Sequence, residues 1–106
     1  MQRLEGRSAI VTGGGAGIGQ ATSERLAAEG ASVLIADING TAAESVSAGI
    51  NRAGGISSSL PVDVEDESQL KLMVDECVRR YGKVDILVNN AGVAVAGSVT
   101  SLSTES

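Results

Sequence analysis

A chain of 106 residues can form one domain with a modest core, and the hydrophobic 42% of this one includes a single aromatic residue, Tyr81. Eight basic residues are scattered among thirteen acidic ones, giving a formal charge of −5, which argues against nucleic acid as a partner. The segment 1–7 lacks the apolar core of a signal peptide and no stretch approaches the length of a membrane span, so we expect a cytoplasmic protein without membrane contact. The single cysteine, Cys77, falls on the apolar side of a predicted helix, where we expect a buried, inert thiol.

The first half of the chain alternates between predicted strands and predicted helices. A strand at 8–11 precedes a helix that ends at Gly30, and a second, aliphatic strand at 31–37 finishes in a carboxylate. A second helix follows with Asn39 as its N-cap, and the glycine pair at 54–55 ends it. The stripe predicted to be buried in the first helix is Ile18, Thr22 and Leu26, and that in the second is Ala43, Val46, Ile50 and Ala53.

The second half of the chain continues this alternation. A serine-rich strand at 56–62 is interrupted by Pro61, as is typical of an edge strand, and a fourth strand covers 84–88. Between them, acidic residues at 65–67 favour the first turn of a third helix, which ends at Gly82. The inner stripe predicted for this helix is Leu70, Val74, Cys77, Val78 and Tyr81.

Three strand–helix units followed by a strand form the first half of a doubly wound parallel sheet, because crossovers between parallel strands are right-handed. The sequence therefore predicts an α/β fold: a single half-domain over 1–106 with strand order 3-2-1-4 and helices on both faces. The order in which successive strands are added to the sheet reverses between strands 1 and 4, and ligands bind at the carboxyl ends of the strands beside such a switch point.

A glycine-rich run at 12–19 joins the first strand to the first helix. Its spacing is Gly-x-x-x-Gly-x-Gly, with Gly13 placed for a sharp turn, Gly17 for close approach to an anion and Gly19 for tight packing of the helix on the sheet. Backbone N–H groups and a helix N-terminus can bind a pyrophosphate without a cationic side chain. A flexible turn is the alternative, but the strand before, the helix after and the acidic residue of the next strand favour a nucleotide-phosphate loop.

Asp37 ends the second strand, where the ribose of a bound adenosine would lie. Its carboxylate can accept hydrogen bonds from both ribose hydroxyls, although a solvated strand end or a helix cap is the plainer interpretation of an isolated aspartate. A 2′-phosphate about 4 Å from this carboxylate would be repelled by roughly 4 kcal/mol per unit charge at an effective dielectric constant near 20, before screening. No lysine or arginine follows at 38–40, so we predict NAD rather than NADP as the cofactor.

Two further polar segments follow the third and fourth strands. Asp63 could accept from an adenine amino group while Val64 covers the base, or Asp63 could simply cap the third helix, and the sequence favours neither. At the switch point, Asn89 and Asn90 precede two small residues that would let the backbone lie close to a ribose; one of the asparagines could instead bridge backbone groups of neighbouring strands. The stretch 92–101 is predicted to be a loop of small residues.

With these motifs in register, the chain closely resembles the classical branch of the short-chain dehydrogenase/reductase family, whose cofactor half is Rossmann-like. The motifs that carry the resemblance are Thr-Gly-x-x-x-Gly-x-Gly at 12–19 and Asn-Asn-Ala-Gly at 89–92. The resemblance implies hydride transfer between NAD(P) and an alcohol or carbonyl substrate. It implies pyrophosphate and ribose contacts by the glycine run, ribose contacts by Asp37 and adenine contacts by Asp63 and Val64. The full predicted cofactor set is Gly13, Gly15, Ala16, Gly17, Ile18, Gly19, Asp37, Ile38, Asp63, Val64, Asn90, Ala91 and Gly92.

The family's catalytic groups are not found in these residues. In the family, a tyrosine, a lysine four residues later, a serine and an asparagine carry out the proton chemistry, at positions further along than this chain extends. Tyr81 does not match, because residue 85 is aspartate. We therefore predict no catalytic residue and no metal site, and expect the N-terminal half of a longer enzyme that forms homo-oligomers. A helix N-terminus at Ser103 without a helix body agrees with this expectation.

Two other interpretations remain open at this point. A stand-alone NAD-binding module without catalysis would use the same motifs. A methyltransferase or flavin half-domain shares the alternating architecture but does not need this glycine spacing. The residues leave the substrate open beyond the class of alcohols and carbonyls.

Overall fold

The computed structural model describes residues 3–89 and the backbone of 92–95. The first four strands along the chain are parallel and lie in the predicted order 3-2-1-4, and a fifth strand adjoins the fourth. In this part of the chain, no helix is both long and apolar enough to cross a membrane. The elements in chain order are β1 Ser8–Thr12, α1 Gly17–Ala28, β2 Ser32–Asp37, α2 Gly40–Arg52, β3 Ile56–Pro61, α3 Glu67–Tyr81, β4 Ile86–Asn89 and β5 Gly92–Val95.

The fifth strand corrects the prediction of a loop from residue 92. Its backbone runs antiparallel to β4, with Ile86 opposite Val95 and Asn89 opposite Gly92. Two valines in four residues favour an extended backbone, and the return strand supplies partners for the N–H and C=O groups along β4.

The core lies on both faces of the sheet, because successive residues of a buried strand point in opposite directions. The predicted helices on both faces are confirmed: α1 and α2 cover one side and α3 covers the other. On the first side the buried residues are Val11, Ala27, Ala31, Val33, Ile35, Ala43, Val46 and Ile50. On the second they are Ile10, Leu34, Ala36, Val62, Met73, Cys77 and Val84.

The buried stripe of α1 is displaced by one residue from the predicted one. Ile18 is 81% exposed, whereas Gly19, Ser23 and Ala27 are buried. A Cβ on Gly19 would lie 2.0 Å from the carbonyl oxygen of Gly13, so only small residues fit where this helix meets the loop. The spacing of four residues was predicted correctly and the predicted Leu26 is partly buried against the core, but the placement of Ile18 on the buried face was wrong.

The predicted N-cap of α2 is confirmed, since the side chain of Asn39 accepts a hydrogen bond from the N–H of Ala42. Ala53 is exposed rather than buried, because the helix ends at Arg52 and Ala53 is its C-cap. Gly54 follows with φ of +98°, a left-handed conformation that suits the chain reversal into β3.

The N-cap of α3 is Asp66, whose carboxylate accepts from the N–H groups of Ser68 and Gln69. The sequence analysis placed residues 65–67 in the first turn, but the helix begins at Glu67. Asp66 precedes it as the cap, and a cap residue is only half inside its helix. The predicted inner position Val78 is 38% exposed, while Cys77 beside it is buried. Burial, with a smaller contribution from Asp85, raises the pKa of the Cys77 thiol to about 11, as expected of an inert cysteine.

Candidate functional site

The glycine loop begins with a sharp turn at the carboxyl end of β1. Gly13 has φ of +66°, and its N–H donates to the carbonyl of Ala36 in β2 at 2.7 Å, while the N–H of Gly14 donates to the same oxygen at 3.3 Å. Only glycine adopts such a φ without strain. The turn therefore places the loop directly over the end of β2.

The middle of the loop is packed too tightly for side chains. A Cβ on Gly14 would lie 2.8 Å from Cγ2 of Ile35. A Cβ on Gly15 would lie 2.8 Å from the Cβ of Ala42, at the start of α2. The sequence predicted a role for Gly15 but missed Gly14, whose contact depends on the path of the loop across β2.

The end of the loop is open, in contrast to its middle. Gly17 has φ of +59°, and a Cβ built there would meet nothing within 4 Å. The N-cap of α1 is Ala16, a methyl side chain in extended backbone that cannot accept a hydrogen bond, and the first turn carries no acidic residue. The first N–H groups of a helix have no partner within the helix. This helix start is accordingly suited to receive an anion.

Asp37 lies against the glycine loop. Its Oδ2 accepts a hydrogen bond from the N–H of Gly15 at 2.9 Å, and its Oδ1 accepts one from the N–H of Asn39 at 2.9 Å. The backbone carbonyl of Asp37 also accepts from the N–H of Val62, just after β3. Topology predicted that Asp37 lies beside the loop, but sequence reasoning missed the bond between them.

Apolar side chains are exposed at this same edge of the sheet. Ile18, Ile38 and Val64 follow β1, β2 and β3, and they are 81%, 74% and 41% exposed. Exposed aliphatic side chains beside polar groups are typical of a surface that contacts a ligand. All three belong to the predicted cofactor set.

The structure excludes one of the two interpretations of Asp63, that of a helix cap. Asp66 rather than Asp63 caps α3, so the helix-cap interpretation of Asp63 is wrong. The carboxylate of Asp63 accepts from the N–H of Glu65 at 3.0 Å, and its own N–H donates to the side chain of Gln69 at 2.8 Å. These bonds fix the loop that presents Val64 to solvent.

A hydroxyl that the sequence analysis did not single out joins the two strands at the switch point. Oγ1 of Thr12, the last residue of β1, donates to the carbonyl of Val88 in β4 at 3.3 Å. The predicted contacts Asn90 and Ala91 lie outside the described residues. The backbone of Gly92 begins β5, opposite Asn89.

Tyr81 lies away from this site. Its hydroxyl is 2.7 Å from Oγ of Ser58 and donates to the carbonyl of Val33 at 3.4 Å. Burial raises the pKa of the phenol despite the hydrogen bond with Ser58. Val33 is four residues before Asp37, or about 13 Å along the strand. The structure agrees with the prediction that Tyr81 belongs to the core.

Known proteins resemble this chain in both sequence and fold. An uncharacterized oxidoreductase of Bacillus subtilis is 45% identical over 97 residues, which are 92% of this chain and 36% of that protein. The 7α-hydroxysteroid dehydrogenase of Escherichia coli is 46% identical over 90 residues, 85% of this chain and 35% of that protein. A solved 7α-hydroxysteroid dehydrogenase, complexed with NADH and 7-oxo glycochenodeoxycholic acid, has a TM-score of 0.81 and 43% identity, covering 83% of this chain and 34% of that one. The chain thus spans about a third of the length of these relatives. The short chain dehydrogenase family matches residues 7–106, and the chain therefore belongs to that family.

Proposed function

We propose that this chain is the NAD(H)-binding part of a short-chain oxidoreductase that transfers hydride between NAD(H) and a small alcohol or carbonyl substrate. The observation that carries the proposal is the 2.9 Å contact between Asp37 and Gly15. It joins an acceptor for ribose hydroxyls to a loop suited to phosphate, as one adenosine diphosphate group requires. The solved relative that holds NADH supports the same cofactor class.

Each part of the site would meet one part of the cofactor. The open helix start would bind the pyrophosphate, and Asp37 with Ile38 would hold the adenosine ribose. Asp63 and Val64 would contact the adenine, since they lie at the end of the neighbouring strand. The residues assigned to the pyrophosphate and its ribose are Gly13, Gly15, Ala16, Gly17, Ile18 and Gly19, and those assigned near the ribose from the other side are Asn90, Ala91 and Gly92.

Asp37 would also select NAD over NADP. Its two backbone donors are neutral, and the structure gives it no ion pair among the residues described. Its negative charge would therefore act directly on a 2′-phosphate, with a repulsion of roughly 4 kcal/mol per unit charge at about 4 Å before screening.

The nicotinamide supplies the redox chemistry when bound, and the protein must supply orientation and proton transfer. Tyr81 is hydrogen-bonded in the core, so we place the proton donor outside residues 1–106. The complete enzyme would be a cytoplasmic homo-oligomer. A stand-alone NAD-binding module is the competing proposal, and it predicts NADH binding without turnover in the natural polypeptide.

Direct titration of the chain with NADH and NADPH, followed by nucleotide fluorescence or calorimetry, tests the proposal. We expect NADH to bind at least about tenfold more tightly than NADPH, equivalent to about 1.4 kcal/mol that remains after screening. S-adenosylmethionine and FAD serve as controls and should not bind. Binding of either control in the absence of NADH binding would contradict the proposal and support a methyltransferase or flavin half-domain.

A further inference from the structure

We propose that Asp37 is a positioning residue for the glycine loop as well as a ribose contact. In this second role its carboxylate holds Gly15 in place before any nucleotide arrives. The inference rests on the proposed function, but its central contact lies wholly within the protein. It predicts that the affinity for the phosphate part of NADH depends on a side chain assigned to the ribose.

The contact joins three segments that are distant in sequence. Gly15 belongs to the loop after β1, Asp37 ends β2, and Ala42 and Ala43 lie in the first turn of α2. A Cβ on Gly15 would be 2.9 Å from Oδ2 of Asp37 and 2.9 Å from the backbone nitrogen of Ala43. The carboxylate and the start of α2 therefore both pack against Gly15 at the position that a side chain would occupy.

The carboxylate has the capacity for both roles at once. Each carboxylate oxygen has two lone pairs, and one on each oxygen is used by a backbone donor: Gly15 at Oδ2 and Asn39 at Oδ1. One lone pair on each oxygen remains, which matches the two hydroxyls of a ribose. Binding of the ribose therefore does not require release of the loop.

An asparagine cannot take over this arrangement. Both backbone contacts are N–H donors, so both side-chain atoms at position 37 must be acceptors. The amide of Asp37→Asn has one oxygen and one NH₂ group, and in either orientation one backbone donor loses its partner. The residue that selects the cofactor thus cannot be replaced by its amide without loss of one of these two hydrogen bonds, and a side chain with no acceptor releases Gly15 in every case.

Amide hydrogen exchange of the nucleotide-free protein, read residue by residue by NMR, tests the inference. Exchange at Gly15 should be at least about tenfold faster in Asp37→Ala, whose side chain has no acceptor, than in the wild type, as expected for loss of a hydrogen bond to a charged acceptor. The matched control is Glu44→Gln, which removes one negative charge from the exposed face of α2 and should leave Gly15 unchanged. Exchange at Val33 and Ile35 in the core verifies that each variant is folded.

A second titration uses an NADH analogue whose adenosine ribose lacks both hydroxyls, so that no ribose contact to Asp37 exists. Asp37→Ala should still bind this analogue about threefold or more weakly than the wild type does, even though the loss of a negative charge alone would favour an anionic ligand. Unchanged exchange at Gly15, or unchanged or tighter binding of the analogue, would overturn the inference.

If Asp37→Ala does not fold, the wild type alone decides the question. A scalar coupling across the hydrogen bond between the Gly15 nitrogen and the Asp37 carboxyl carbon is expected, and its absence would refute the positioning role. Since neither this coupling nor the exchange measurement involves nucleotide, failure of the inference is distinguishable from failure of NADH binding.

Discussion

Two aspartates at opposite edges of the same sheet have different surroundings. At the amino edge, Asp85 accepts from the N–H of Ser8 at 2.9 Å and lies 3.3 Å from Nζ of Lys83 and 3.7 Å from Nη1 of Arg7. At the carboxyl edge, Asp37 receives only neutral backbone donors among the residues described. The charge of Asp85 is balanced within the protein, whereas that of Asp37 remains available to a ligand. Charge balance by neighbours thus separates a structural carboxylate from a candidate binding one.

The largest losses of stability and of NADH affinity should come from Gly19→Ala at the carboxyl edge. The new Cβ would lie 2.0 Å from the carbonyl oxygen of Gly13, so the loop or the helix must move. We expect a loss of about 3 kcal/mol in the free energy of unfolding. We also expect about 100-fold weaker NADH binding, because backbone donors to a charged ligand are worth about 1.5–3 kcal/mol each. Chemical denaturation and NADH titration measure the two effects.

Gly49→Ala is the matched control for this substitution. It lies in α2, and its Cβ would meet only Nη2 of Arg52, at 3.9 Å. This variant should be more stable than the wild type by about 0.5–1 kcal/mol and bind NADH equally well. Equal effects of the two substitutions would show that tight packing at the loop is not what requires glycine.

The same packing explains what could and could not be predicted from the sequence. Strand order and the position of Asp37 were predictable, because aliphatic runs, glycine breaks and right-handed crossovers leave few topologies. The buried face of α1 could not be predicted in the same way, because the pattern was read from large side chains such as Ile18. The residues buried on this face are the small ones, Gly19, Ser23 and Ala27, and Gly19 and Ser23 lie against the glycine loop. A row of small residues at intervals of four was the signal that could have identified this face.

The hydrogen bond between Asp37 and Gly15 could also not be predicted from the sequence. It depends on the exact path of the loop, which is set by the turn at Gly13 and by the contact of Gly15 with Ala42. Propensities and spacing do not specify such a path. The strand β5 escaped prediction for a different reason: its pairing depends on the open edge of β4, a tertiary feature, and not on its own four residues.

At the amino edge, Asp85→Ala should reduce stability without reducing NADH affinity. Ser8 is buried, and its N–H would lose its acceptor, at a cost of about 1–3 kcal/mol. Asp85→Asn keeps an acceptor oxygen and should lose less. Urea unfolding measures the stability of both variants and fluorescence titration their affinity. A clear loss of NADH affinity in folded Asp85→Ala would contradict the separation of the two edges.

Substitution of an exposed aliphatic residue at the carboxyl edge should have a smaller effect on NADH affinity. Val64→Ser should weaken NADH binding by about fivefold, since covering an adenine with this side chain is worth about 1 kcal/mol, and should leave stability almost unchanged. The control is Ile56→Ser, a 58% exposed aliphatic residue at the start of β3, on the amino edge. It should bind NADH as the wild type does. An equal loss in both variants would remove the adenine contact from the proposal.

Lowering the pH should reduce the stability of the protein in part through Asp85 at the amino edge. Burial raises the pKa of Asp85, but the N–H of Ser8 together with Lys83 and Arg7 lowers it more, so that the pKa lies below the ordinary value of 3.8. A carboxyl whose pKa is lower in the folded state stabilises the protein above its unfolded pKa, and this stabilisation is lost as the pH falls through the folded value. The free energy of unfolding should therefore fall between pH 5 and pH 3 by less in Asp85→Asn than in the wild type, as measured by urea denaturation.

Glu76 provides the comparison for this acid effect. Hydrogen bonds from Arg79 and Arg80 lower its pKa to about 2, so Glu76 also contributes stability that is lost as the pH falls, and this loss is the same in the wild type and in Asp85→Asn. The difference between the two proteins over that interval then reports Asp85 alone. An equal fall in both would mean that the charges of Arg7 and Lys83 do not stabilise the amino edge. Asp85 would then resemble Asp37, in that only backbone N–H groups would stabilise its carboxylate. Charge balance would no longer distinguish the two edges of the sheet.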